Sequence, residues 1–324
     1  MNGSRLFVVG MIFVVASGAW LILGQTISAR TAVSKNTLGR DVDRMFGPEL
    51  EQEAPALLTL AAQGVTDAVP PEESAIDVVI DHENRYRGLI WFSTYRVVFD
   101  ARYAWGPGEG TADFRMALPH EANIDDLLVE VNGEEVPVTT TALSLPVERS
   151  ATTPATVRVR YVTSGQDAWS YLPQTDGGLR IFRLTARTNF DAIDYPASGL
   201  SPTKRAHTRT DGREGLEAEW AYAQMLPARN HAIGLVMPSR IDSGTLSARI
   251  AKFAPVSLFF FFVVMVVIQV LKGWKLHPVN YLLIAAGFFA FHILLAYLVD
   301  HWAIHASFWV AAAVSVLLVV SYLR

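Results

Sequence analysis

The residues whose types and spacing bear most directly on chemistry gather at the end of a long apolar block. Asp300, His301 and His305 fall together, with the two histidines one helical turn apart, and zinc accepts such a donor set. The zinc-protease arrangement, however, needs a Glu directly after the first His as general base, and Trp302 stands there. Structural or interfacial duty is therefore preferred, with a metal-dependent enzyme at the membrane interface as the alternative. His292 lies in the middle of an apolar run, where an ionisable group is costly unless it pairs or faces a cavity. A neutral imidazole bonded to a neighbouring helix accounts for it; a role in a transporter or channel assembly is the rival reading.

Other groups carry less. Gly106-Pro107-Gly108-Glu109-Gly110 lacks both the Walker lysine and the dinucleotide spacing, so it is expected to be a turn. Ser144, Ser164, Ser170 and Ser198 lack the glycine-flanked elbow of hydrolases, and His207 and His231 have no motif partner. Lys204, Arg205, His207 and Arg209, between Pro202 and Asp211-Gly212, are expected to form an exposed basic loop. Glu49, Glu51 and Glu53 read as a solvated acidic face, because no further fixed oxygen ligands accompany them. There is no cysteine, which excludes disulfides, thiolate metal sites and a cysteine nucleophile. A net charge of -4 without a long basic run argues against a nucleic-acid partner. No cofactor is expected.

The elements that must position these residues are set by hydrophobicity, which makes up 51% of the 324 residues. Phe253 to Leu271, Val279 to Val299 and Ile304 to Leu323 contain no Asp, Glu, Lys or Arg. Runs of about 20 residues, rising about 1.5 Å each, match a hydrocarbon core of roughly 30 Å. Unsatisfied backbone is excluded from lipid, and the runs lack the alternation of a barrel, so they are predicted to be membrane-spanning helices. Leu6 to Leu23 is a fourth; at this length an uncleaved anchor is preferred to a signal peptide. The lipid bilayer is thus one expected partner.

Lys272 and Lys275 lie between the second and third spans, and no Lys or Arg flanks Asp300. The positive-inside rule then places both termini in the cytoplasm and the region between the first two spans outside. Arg30, Lys35, Arg40 and Arg44 pull the other way locally, and the downstream charges are given precedence. Trp274, Tyr297, Trp302 and Tyr322 fit interfacial anchoring.

Leu38, Val42 and Met45 recur at helical spacing up to Gly47-Pro48, so a helical extension is expected, followed by a linker marked by Pro70-Pro71. From Ile76 the period changes to two. Tyr95, Val97, Phe99, Ala101, Tyr103 and Trp105 share one face; Val157 to Tyr161 and Leu216 to Tyr222 alternate likewise; Asn132-Gly133 suits a type I′ hairpin. The fold class expected is an α+β membrane protein: four transmembrane helices and an extracytoplasmic antiparallel β-sandwich, either single or split into two subdomains near Gly165 to Gly178. The boundaries expected are 1–27 for the anchor, 28–75 for extension and linker, 76–250 for the periplasmic β-region and 251–324 for a three-helix bundle.

Leu276-His277-Pro278-Val279-Asn280-Tyr281-Leu282-Leu283 and the stretch from Phe291 to His301 resemble the inner-membrane CreD family, in its His-Pro-x-x-Tyr-Leu-Leu entry to a span and its acidic-His pair at the outer end. The resemblance covers about 40 residues and rests on His277, Pro278, Tyr281, Asp300 and His301. It implies a bacterial inner-membrane protein with a large periplasmic region, linked to envelope integrity, with no established enzymatic activity and a membrane or periplasmic protein partner. The family pattern continues through further spans beyond the position of Arg324.

Overall fold

The computed structural model describes residues 3–60, 66–88, 90–119, 123–138, 143–173, 181–196, 199–210, 213–223, 231–273, 277–299 and 301–322. In chain order the elements are α1 (Gly3–Phe46), β1 (Leu50–Glu53), β2 (Ala56–Leu60), β3 (Thr66–Val69), β4 (Glu73–Arg87), β5 (Ile90–Trp105), β6 (Gly110–Met116), β7 (Asp125–Val131), β8 (Glu134–Glu135), β9 (Leu143–Arg149), β10 (Ala155–Gln166), β11 (Ala168–Leu172), β12 (Ile181–Thr188), β13 (Lys204–Thr210), β14 (Arg213–Tyr222), β15 (Ile233–Val236), α2 (Ser243–Lys272), α3 (Pro278–Leu298) and α4 (Ile304–Tyr322). They form two compact units. The helical unit holds residues 1–39, 86–91 and 241–324, and the β unit holds 40–85 and 92–240.

Among the described residues, four helices are long and apolar enough to cross a membrane. Their faces divide as lipid requires. Trp20, Ala254, Leu258, Phe262, Tyr281 and Ala285 pack inward, while Phe253, Phe260, Leu271 and Trp309 stay exposed. Small residues set the spacing of α3 and α4: a Cβ on Gly287 would lie 2.4 Å from Val319 Cγ2, and Ser315 Oγ donates to the Gly287 carbonyl at 2.7 Å. Such close approach is how helices gain van der Waals contact where lipid supplies no hydrophobic drive. α2 ends where Gly273 takes a left-handed conformation, φ 65°, and returns its N–H to the Gln269 carbonyl.

Among the described residues the β unit has three sheets, ordered β1-β11-β15, β13-β14-β12-β4-β5-β10-β7-β8 and β3-β2-β6-β9. All six residues expected to share the inner face of β5 are buried. The Asn132-Gly133 turn has φ of 53° and 88°, as a type I′ hairpin needs. One continuous core joins all three sheets, from Leu50 and Leu57 through Phe99, Phe114 and Tyr161 to Trp169, Trp220 and Leu235. Most pairings are antiparallel, but β1 runs parallel to β11 and β4 parallel to β12.

Two expectations need correction. The stretch read as extension and linker carries β1, β2 and β3, because Leu50, Gln52 and Leu57 bury one face of short strands that contain too few residues to display a period. The basic segment expected as a loop is the strand β13, at the edge of the large sheet, paired with β14 from Lys204 opposite Glu219 to Thr210 opposite Arg213. Charge there marks an edge strand, where it discourages pairing with other chains.

Candidate functional site

The motif residues of the helical unit act on one hairpin. His277 is extended, φ -78° and ψ 143°, and its Nδ1 accepts the Val279 N–H at 3.3 Å, capping α3. Pro278 opens the helix, where its missing N–H costs nothing. One turn on, Tyr281 is 2% exposed and donates its hydroxyl to Gln269 Oε1 of α2 at 2.9 Å, with its ring edge-on to Phe262 at 5.2 Å. The His-Pro-x-x-Tyr spacing thus caps a helix and bolts its first turn to the helix before it. Gln269, the partner, was visible in the sequence as an amide inside an apolar run.

His292 is 4% exposed. Its Nδ1 lies 2.8 Å from the Phe288 carbonyl, so the bond is made within α3 rather than to a neighbouring helix as expected. A carbonyl can only accept, so Nδ1 is the donor. Trp20, Phe288 and Phe291 surround the ring at centroid distances of 5.7, 4.8 and 4.9 Å. All three ring contacts are near-perpendicular.

At the other end of α3, His301 Nδ1 lies 3.1 Å from the Tyr297 carbonyl and the two rings are tilted 4.9 Å apart. His305 is exposed. Asp300 lies outside the described residues, as do Trp274 and Lys275. Among the described residues, no group of three His, Asp or Glu side chains is placed to hold a metal ion.

The β unit carries polar groups that sequence reasoning passed over. Gln52 is fully buried, donates to the Glu53 and Ala117 carbonyls, and accepts the Tyr161 hydroxyl at 2.6 Å. Tyr95 donates to the Ala168 carbonyl at 2.6 Å. Burial holds the hydroxyls of Tyr95, Tyr103 and Tyr161 well above the usual phenol range, so they stay neutral; those of Tyr95 and Tyr161 donate. His82 is half-buried against Phe190, its Nε2 3.0 Å from Ser93 Oγ; burial lowers its pKa against the opposing pull of Asp81 and Glu83. The signal was the alternation Ile76, Val78, Ile80, which points His82 inward. On the opposite face of the large sheet, Arg158 makes two bonds to Asp100, at 2.9 and 2.7 Å, and a third to Glu130. Those bonds from Arg158 hold the Asp100 carboxyl below the usual range.

Known proteins add a match on sequence and a slight one on shape. Residues 211–324 match the family described as "Inner membrane protein CreD". No curated protein matches the chain. A crystal structure of an M1 zinc metallopeptidase from Deinococcus radiodurans aligns with TM-score 0.24 and 13% identity over 46% of this chain and 38% of that one. A mutant form of it bound to a Tyr-Ser-Ala substrate aligns with TM-score 0.23 and 12% identity, again over 46% and 38%. These likenesses are too slight to carry an argument, and the chain spans well under half the length of those peptidases. The matched segment contains β14, β15, the His277–Tyr281 motif and three helices long and apolar enough to cross a membrane, and over that segment the chain is similar to the inner-membrane CreD family.

Proposed function

We propose that the protein is a non-catalytic inner-membrane component whose β unit lies on the extracytoplasmic side and serves as a scaffold or interaction module in envelope integrity. One observation carries this reading: the eight-stranded sheet has two open edges of opposite charge. At one edge β13 presents Lys204, Arg205, His207 and Arg209, with Arg205 laid over the Tyr195 ring at 4.9 Å. At the other, β8 and the neighbouring β7 carry Glu134, Glu135, Asp125 and Asp126. Charged edges reject casual pairing and select a partner by complementary potential. Lys272, which closes α2, and Lys275 support the orientation through the positive-inside rule.

In this reading His277, Pro278, Tyr281, His292, Asp300 and His301 are fixtures of the helical unit rather than reactive groups. The partner is a membrane or periplasmic protein. Purification from mild detergent, with Lys204, Arg205 and Arg209 all changed to Glu in a parallel sample, tests the role: a protein partner recovered with the parent chain and lost with the variant is the expected result. Recovery of the same partners by both sinks the edge as the contact. A reporter inserted at the Asn132-Gly133 turn that faces the cell interior sinks the orientation.

A further inference from the structure

α3 packs against both α2 and α4, and between the latter two runs a cleft floored by α3. Its wider part, about 570 Å³, is lined by Arg249, Phe253, Phe291, His292, Phe308 and Ala312, among others. It continues into a second chamber of about 390 Å³ that shares Ser257, Phe288, Ser315 and Val316 with the first and reaches Phe261 and Val320. From Arg249 to Phe261 the helix rises about 18 Å at 1.5 Å per residue. That is close to one leaflet, half of a hydrocarbon core of roughly 30 Å.

The polarity of the cleft is one-sided. Arg249 is exposed at one end and makes no ion pair or hydrogen bond among the described residues. Asp242, the carboxylate that precedes the first turn of α2, is buried with Oδ1 accepting the Trp91 N–H at 2.8 Å. Deeper in, Ser315 is committed to the Gly287 carbonyl, and His292 Nδ1 to the Phe288 carbonyl. The cleft therefore offers one full positive charge, at its end, above walls of Phe, Ala and Val. A helix of the same length, about 10 Å across, fills roughly 1,400 Å³ and does not fit within it.

We propose that this cleft binds an anionic phospholipid of the bilayer, one acyl chain lying along Phe253, Phe288 and Ala312 and the phosphate on Arg249. The site is independent of the β unit's edges, so it stands or falls separately from the role proposed above. The full chain is examined by native mass spectrometry in mild detergent with added dioleoylphosphatidylglycerol or dioleoylphosphatidylcholine. The expected result is an anionic-lipid preference of about five-fold, the factor due to one cation beside an anionic headgroup. Arg249→Gln is expected to erase the preference while leaving binding at the phosphatidylcholine level. Ala312→Phe, filling the cleft from α4, is expected to abolish retention of both lipids with the thermal midpoint little changed. Equal retention of the two lipids by the parent chain, or an undiminished preference in either variant, overturns the proposal. So does disulfide cross-linking between copies carrying Ser257→Cys in this cysteine-free chain, which places a second copy in the cleft.

Discussion

At the scale of single residues, the hydroxyl of Tyr281 and the imidazole of His82 do the most that substitution can read. Tyr281→Phe removes the bond to Gln269 and leaves its Oε1 buried without that donor. Bonds between membrane helices average about 0.6 kcal/mol, and the stranded acceptor adds to that, so a loss of about 1 kcal/mol is expected, read as a lower thermal midpoint in detergent. His82 sets a pH dependence. Its folded pKa lies below the ordinary value of about 6.5, so the unfolded chain binds the proton more readily. The associated stability is present above about 6.5 and is lost as pH falls through the folded pKa. Thermal midpoints measured from pH 7.5 downward are expected to fall more steeply for the parent chain than for His82→Gln; parallel curves remove His82 as the cause. His277, Pro278 and Tyr281 were legible as a motif, but their jobs were not, because capping and bolting depend on Gln269 and Val279 meeting them in space. Asp100 and Arg158 were illegible as a pair for the same reason: 58 positions separate them, and only the β5–β10 register joins them.

At the scale of elements, long periods were legible and short ones were not. The spans read plainly because lipid demands about 20 apolar residues without a break, and the 16 residues of β5 show their alternation at a glance. β1 and β2 have four and five residues, and β13 hides under a charge pattern that mimics a loop. Both kinds of strand exist because neighbours supply their ladders. An element-level test follows from β13: Lys204→Val, Arg205→Val and Arg209→Val together strip the edge of its charge, and aggregation on size exclusion is expected where the parent chain stays dispersed. The contact of α3 with α4 gives another. Gly287→Val forces side-chain atoms onto Val319, which sits 2.4 Å from even a Cβ there, and a loss of about 1–3 kcal/mol in thermal or denaturant stability is expected for such overpacking.

At the scale of the whole molecule, the sequence distinguished the membrane helices from the strand-rich region, and the match of residues 211–324 to an inner-membrane family agrees with the motif that first suggested it. The parallel pairs escaped sequence reading, because pairing partners far apart in the chain leave no local trace. They bear on how the β unit is made. β1 lies against β11, and β11 against β15, so the small sheet joins positions 50, 169 and 236. Contacts between such distant positions form late and slowly. A chain leaving the ribosome must hold Leu50 and its neighbours waiting until Val236 has emerged, by which point the next hydrophobic helix begins at Ser243. Biogenesis thus leaves a long interval of unpaired, apolar strand and only a brief one between its closure and the arrival of the next membrane segment, a schedule that favours a holding chaperone and makes β15 the last strand the small sheet must wait for.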